Sequence, residues 1–128
     1  MEEVVRVLVV GERPETLLEL LEDRGIEAVA ANAPLGDALA AAAVVVLAGE
    51  VGAPLPDVAW DVLAAGRLLV VPRANPAYGL EPGIDHLAGG SDHELADKAA
   101  MAATFPEALE PVMAMGRLMA RARAAATT

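Results

Sequence analysis

The chain of 128 residues is 55% hydrophobic but only 2% aromatic, which predicts a single domain over residues 1–128 with an aliphatic core. Nine Lys and Arg against nineteen Asp and Glu give a formal charge of −10, and such an acidic surface repels phosphate backbones, so no nucleic-acid partner is expected. Cysteine is missing, the N-terminus lacks a basic secretory start, and no apolar run reaches the roughly 18 residues of a membrane span, so a cytoplasmic protein without disulfides or membrane contact is predicted.

Short apolar strands alternate with helices in the first half of the chain. Val4–Val10 is a β-branched run that ends at Gly11, and Pro14 then opens a helix that Gly25 stops. The alternation continues with a predicted strand over Ile26–Ala31, an alanine-rich helix over Leu35–Ala42 and a strand over Val44–Ala48.

The second half repeats this alternation around a longer loop. A helix containing Trp60 is closed by Gly66, and Leu68–Val71 follows as the fourth predicted strand. The loop Arg73–Gly83 is rich in turn-forming residues, and Asp85–Ala88 is predicted as a short fifth strand.

Two helix-start signatures lie in the last third of the chain. Ser91, with Glu94 three residues later, has the spacing of a capping box and predicts the start of a helix. Thr104 and Glu107 repeat this spacing and predict a last helix, which Pro111 bends or restarts.

This alternation of strands and helices predicts βαβ units. Right-handed crossovers then give an α/β fold of three layers: an open, mostly parallel sheet with helices on both faces, Rossmann-like or flavodoxin-like. Ligands of such sheets bind outside the carboxyl ends of the strands, near the switch in strand order. The candidate loops are therefore 11–13, 49–56, 72–81 and 89–92.

Few residues in the candidate segments have a spacing typical of catalytic or ligand-binding motifs. Gly11 lacks the spacing of phosphate-binding fingerprints, so it marks either a tight turn or a close approach of backbone to a phosphate. Asp61 is either a solvated helix carboxylate or an acceptor for ribose hydroxyls. The loop that begins at Arg73 has more polar variety than a connector needs. His86 and His93 lack metal-ligand spacing, so no metal or other cofactor is predicted.

The order of segments resembles the C-terminal nucleotide-sugar-binding domain of GT-B-type glycosyltransferases. Asp57–Pro72 (DVAWDVLAAGRLLVVP) is similar to that family's helix "xxLEALAAG" and the strand "xPVVAT" that follows. Ser91–Ala103 (SDHELADKAAMAA) is similar to its "DPEELAEAI" helix, and Phe105–Arg123 resembles its closing helix. The similarity spans most of the chain, through motifs that are individually weak.

This resemblance implies a half-domain that binds a nucleotide or nucleotide-sugar. The family holds its ligand with a pair of Glu residues. Asp61 aligns with the second Glu, and Ala53 stands eight positions earlier, where the first acid is expected. Glu50 aligns with the first Glu only if the loop is shifted. The family's acceptor domain has no counterpart in the sequence, so no catalytic residue is assigned and the chain is not expected to act alone. Taken together, the carboxyl-edge loops and this resemblance predict the ligand-binding residues Gly11, Glu50, Asp61, Arg73, Asn75, Gly79 and Glu81.

Two alternatives stand beside this interpretation. The chain also resembles a response-regulator receiver domain in Val7–Val10 and in the GIDHLAGGSDHEL stretch. A receiver carries acids after its first strand, a phosphorylatable Asp after its third and a Lys after its fifth. Those places hold Gly11-Glu12, Ala48-Gly49 and Gly89-Gly90 here, so the receiver would be degenerate. The third interpretation is an interaction module without a small ligand, which binds a protein partner or forms a homo-oligomer.

Overall fold

The computed structural model, which describes residues 7–32 and 34–126, places five short strands in one sheet. The strands are β1 (Val7–Val10), β2 (Ala28–Ala31), β3 (Val44–Leu47), β4 (Leu68–Pro72) and β5 (Leu87–Gly89). All neighbours pair in parallel, in the order β2-β1-β3-β4-β5. This order is the flavodoxin-like one and confirms the predicted α/β class.

In the described part of the chain, five α-helices connect and follow these strands. They are α1 (Glu15–Asp23), α2 (Asp37–Ala41), α3 (Val58–Ala64), α4 (Asp92–Thr104) and α5 (Glu110–Ala126), and a 3₁₀ turn over Pro106–Leu109 precedes the last. Within residues 7–32 and 34–126, none of these helices combines the length and apolar character that crossing a bilayer requires.

The strands β1, β3, β4 and β5 are buried on both faces of the sheet, whereas the edge strand β2 is partly exposed. Successive strand residues point to opposite sides, so Val7 and Val9 face one core while Leu8 and Val10 face the other. Leucines and alanines of α1 and α4 complete the first core, and apolar residues of α3 and α5 complete the second. Because helices cover both faces, the central strands consist of continuous apolar residues instead of alternating apolar and polar residues.

Two strands begin later than the sequence predicts. β2, an edge strand, starts at Ala28 rather than Ile26. β5 starts at Leu87 rather than Asp85, because Asp85 uses its carboxylate to close the preceding turn. The first residues of the predicted strand Val4–Val10 lie outside the described residues.

The two helix-start signatures behave differently. Ser91 caps α4 as predicted, since its hydroxyl accepts the N–H of Glu94 at 3.2 Å. In a capping box the Glu94 carboxylate would accept the N–H of Ser91, but here it accepts the N–H of Gly90 at 2.8 Å. Thr104 does not cap a helix, because its hydroxyl donates to the Ala100 carbonyl of the preceding turn, and the chain passes through the 3₁₀ turn before α5.

Two close contacts fix the orientation of α5. A methyl group added at Gly116 would lie 2.6 Å from the carbonyl oxygen of Asp85, so the helix backbone lies directly on the turn before β5. Two turns further along, the Arg123 guanidinium lies 4.4 Å from the ring centre of Trp60 and 5.5 Å from that of Tyr78. One side of α5 is therefore held against the domain along most of its length.

Candidate functional site

A crevice opens at the carboxyl ends of β1 and β3. The connection after β1 leads to β2 on one side, whereas the connection after β3 leads to β4 on the other, so the two loops diverge. Gly11 ends β1 with a φ of 144°, and a methyl group there would lie 2.6 Å from the Ala48 carbonyl oxygen. Only glycine lets the two strand ends lie this close.

A cleft of about 710 Å³ fills this crevice, within the usual size of small-molecule sites. Its walls come from the loops after β1 and β3, from the first turn of α1 and from the starts of α3 and α4. The lining residues without a large apolar side chain include Gly11, Glu12, Arg13, Thr16, Glu50 and Asp92.

The cleft carries an acidic excess. Among the described residues that line it, Glu12, Glu50 and Asp92 bear carboxylates and Arg13 bears the cation. No group of three His, Asp or Glu within residues 7–32 and 34–126 has a geometry that could hold a metal ion. The site therefore offers acceptors for hydroxyl groups and a guanidinium for an anionic group.

Two of the residues predicted from the sequence, Gly11 and Glu50, line this cleft. Asp61 is exposed on α3 and is not part of the lining. It lies three residues beyond Val58, which does line the cleft, and therefore on the same helix face. Because α3 runs away from the carboxyl edge, Asp61 is about 4.5 Å further along the helix axis. Its role as a ribose acceptor stays a prediction.

The loop after β4 is joined to the loop after β3, outside the 710 Å³ cleft. Three backbone hydrogen bonds connect them, from Gly52 N to Arg73 O at 2.7 Å, from Asn75 N to Ala53 O at 3.0 Å and from Leu55 N to Pro76 O at 3.2 Å. The Arg73 guanidinium lies beside Gly90, since a methyl group there would be 3.7 Å from both terminal nitrogens. Arg73 and Asn75 thus lie on the β4 side of the edge.

Gly79 and Glu81 lie in the turn that leads to β5, also away from the cleft. The N–H of Glu81 donates to both carboxylate oxygens of Asp85, each at 3.1 Å. Oδ1 of Asp85 lies 2.6 Å from Nδ1 of His86, and these two residues are only 3% and 2% exposed. Their polar groups close the turn internally rather than facing a ligand.

A smaller cavity of about 220 Å³ adjoins the cleft and shares part of its wall, including Glu50 and Pro56. The rest of its wall is mainly apolar and comes from the two joined loops and the end of β4. Its further lining residues include Ala53, Pro54, Leu55, Val71, Pro72 and Ala74. The polar cleft therefore continues into an apolar recess.

Four polar residues that line the cleft are not among the ligand-binding residues predicted from the sequence: Glu12, Arg13, Thr16 and Asp92. Arg13 and Asp92 fall in the candidate loops 11–13 and 89–92, so the carboxyl-edge rule points to their segments but not to their side chains. Thr16 lies just inside α1, beyond the loop. Asp92 reaches the crevice because α4 packs across β3, β4 and β5.

The fold is compatible with both resemblances, because receiver domains have the same strand order. β1 is followed by Gly11 and Glu12, β3 by Ala48 and Gly49, and β5 ends at Gly89. These positions hold neither the phosphorylatable Asp nor the Lys of a receiver.

Neither a scan against protein-family models nor a search of curated proteins finds a match. Among solved structures, the chain is similar to Anabaena HepE in complex with UDP, with a TM-score of 0.65 and 16% identity, covering 94% of this chain. It is likewise similar to HepE in complex with UDP-glucose, with a TM-score of 0.65 and 17% identity over 93% of this chain. In both cases the match covers 36% of the HepE chain. The chain thus shares its fold with one part of a longer protein that binds UDP and UDP-glucose.

Proposed function

We propose that this chain is a glycosyltransferase-like half-domain that binds a nucleotide or nucleotide-sugar in the β1/β3 cleft and does not transfer a sugar by itself. The observation that carries the proposal is the position of the cleft, which lies at the switch in strand order and is bounded by the close approach at Gly11. Its size suits a small molecule. The fold shared with HepE, which binds UDP and UDP-glucose, favours this ligand class.

The lining residues divide the ligand between two walls. Arg13 and the first turn of α1 face the phosphates, since the first N–H groups of a helix have no intrahelical acceptor. The hydroxyl of Thr16 adds a neutral donor on the same wall. Glu50 accepts hydrogen bonds from ribose or sugar hydroxyls on the opposite wall, with Asp61 as a second acceptor one turn along α3.

Binding is expected to be weak. Three carboxylates face one guanidinium in the lining, and the whole chain carries a charge of −10, so a diphosphate is repelled at long range. We expect a Kd for UDP of about 0.1–1 mM. Salt screens the repulsion, so the affinity should fall less with ionic strength than at a basic phosphate site.

Sugar transfer needs groups that stabilise the transition state on both sides of the sugar. Ala53 supplies no carboxylate at the position where the family resemblance places the first acid of the pair. Glu50 is the nearest carboxylate in this loop and lies in the cleft wall. The chain is therefore proposed to supply a donor-binding wall only.

Calorimetric titration with UDP and UDP-glucose tests this proposal, with GDP-sugars as the comparison. Arg13→Ala should weaken UDP binding about tenfold, since it removes a charge-assisted hydrogen bond. Arg73→Ala is the matched control, because it changes the charge equally outside the cleft. A second pair has the same design: Glu50→Gln changes a residue in the cleft lining, and Glu81→Gln is its control outside the cleft. Folded wild-type protein that gives no heat with either uridine ligand would overturn the proposal, as would transfer of glucose by the purified chain.

A further inference from the structure

We propose that the outer face of α5 is a self-association surface, on which a second copy of this chain docks with its own α5 antiparallel. The inference does not depend on ligand binding. Five residues on this face are apolar and exposed, and we call them the α5 stripe: Pro111, Ala114, Met115, Leu118 and Ala122.

The α5 stripe cannot turn inward. Gly116 and Ala120 are buried on the opposite side of the helix, and the carbonyl of Asp85 leaves no room for a side chain at Gly116. Arg123 adds a second fixed point through its stacking on Trp60. With the inner side held in this way, Met115 stays 38% and Leu118 57% exposed. Large apolar side chains in one exposed row are typical of an interaction surface.

The spacing of the stripe suits a second copy of the same helix. Pro111, Met115, Leu118 and Ala122 are four, three and four residues apart, as in the seam of packed helices. Consider two copies aligned antiparallel about a twofold axis between Gly116 and Arg117. Met115 of each copy then meets Leu118 of the other, and Pro111 meets Ala122. The large side chains fill the centre and the small ones let the ends approach, which is a self-complementary contact.

Charge favours the same partner and the same orientation. The segment 107–123 has three arginines and two glutamates, in a chain whose total charge is −10, so two copies repel each other little along it. Its acids, Glu107 and Glu110, precede its arginines. An antiparallel pair brings Glu110 of one copy beside Arg121 of the other and aligns the helix dipoles favourably. A parallel pair would place like charges together.

The contact is small. A single pair of 17-residue helices buries less than the roughly 1,200–2,000 Å² of a standard interface, so we expect a transient dimer with a Kd of about 10–500 µM.

Sedimentation velocity over a concentration series tests the proposal. The wild-type chain should shift towards dimer between about 5 µM and about 1 mM, by mass action. Leu118→Glu should raise the dimer Kd at least about tenfold, because it places a charge in the centre of the contact. Phe105→Glu is the matched control and should dimerise like wild type, since Phe105 is equally exposed, at 60%, but lies outside the stripe. A wild-type chain that stays monomeric, or a Leu118→Glu variant that dimerises as wild type does, would overturn the proposal.

A charge exchange tests the antiparallel orientation. Glu110→Arg and Arg121→Glu should each weaken the dimer about two- to fivefold, and the double variant should restore it. Because the chain has no cysteine, Leu118→Cys gives a unique thiol near the twofold axis. A short bis-maleimide should join two Leu118→Cys chains but not two Phe105→Cys chains. Equal cross-linking of both variants would rule out this geometry.

Discussion

The sheet has an open half, β1 and β3, and a closed half, β4 and β5, and the two halves use their loops differently. Between β1 and β3 the loops diverge and leave a cleft lined by side chains such as Arg13 and Glu50. In the closed half the loop after β4 bonds to the loop after β3, and Asp85 and His86 are buried in the turn at the amino end of β5. The loop richest in polar residues lies in the closed half. Divergence of the chain at the switch in strand order, more than polar content, marks the position of the cleft.

The stability of the closed half should be the more sensitive to added side-chain volume. Gly116→Val should show the largest effect, because Gly116 of α5 packs directly on the turn before β5. Its Cβ would lie 2.6 Å from the Asp85 carbonyl oxygen and 2.7 Å from Cδ2 of Leu63, so α5 must shift. We expect the free energy of unfolding to fall by about 3 kcal/mol, as for an overpacked core. Urea denaturation measures this change. Ala64→Val, at an exposed position of α3, is the control and should cost about 0.5 kcal/mol or less. Equal losses in both variants would mean that the contact at Gly116 is not tight.

Removal of the Asp85 carboxylate, which closes the turn before β5, should have the next largest effect on stability. Asp85→Ala leaves the buried Nδ1 of His86 and the N–H of Glu81 without their hydrogen-bond partner, so we expect the free energy of unfolding in urea to fall by about 2–3 kcal/mol. Asp61→Ala removes an exposed carboxylate and should leave stability within about 0.5 kcal/mol of wild type. If Asp85→Ala were as stable as wild type, the pair would not be what closes this turn.

The open half should also contain one rigid point, at Gly11. Gly11→Ala forces a Cβ to within 2.6 Å of the Ala48 carbonyl oxygen at a φ of 144°, which should cost about 1–3 kcal/mol of stability. The strand ends must then move apart, so UDP binding in calorimetry should weaken even where the variant is fully folded. Gly25→Ala is the control, because it also has a positive φ, of 73°, but has no atom within 4 Å of the added methyl group. Unchanged UDP affinity in a folded Gly11→Ala variant would mean that UDP binding does not depend on the close approach of the two strand ends.

Asn75→Ala should have the smallest effect of the four. The closed half holds Asn75 by its backbone N–H, which the substitution keeps, so stability should change by less than about 0.5 kcal/mol. UDP binding should be unchanged, because Asn75 lies outside the cleft. A clear loss of UDP affinity would move the boundary of the site into the loop after β4 and remove the distinction between the two halves.

The local pattern of the sequence was sufficient for the order of elements. Runs of β-branched residues, the glycine and proline stops and the Ser91 cap all act within a few residues, so the strand and helix sequence could be predicted with boundary errors of one or two residues at β2, β3, β4 and β5. The 3₁₀ turn before α5 was less clear, because the Thr104 hydroxyl had a competing acceptor in the preceding helical turn.

The sequence by itself determined that the chain forms a parallel α/β sheet and that a cleft lies at its carboxyl edge, because periodicity and crossover handedness are local rules. Only the tertiary structure decided which side chains face the cleft. Asp92 arrives there through the packing of α4 across three strands, while the Arg73 guanidinium lies beside Gly90, just before the start of the same helix. Both placements depend on how a whole helix rests on the sheet, and no spacing along the chain encodes that contact.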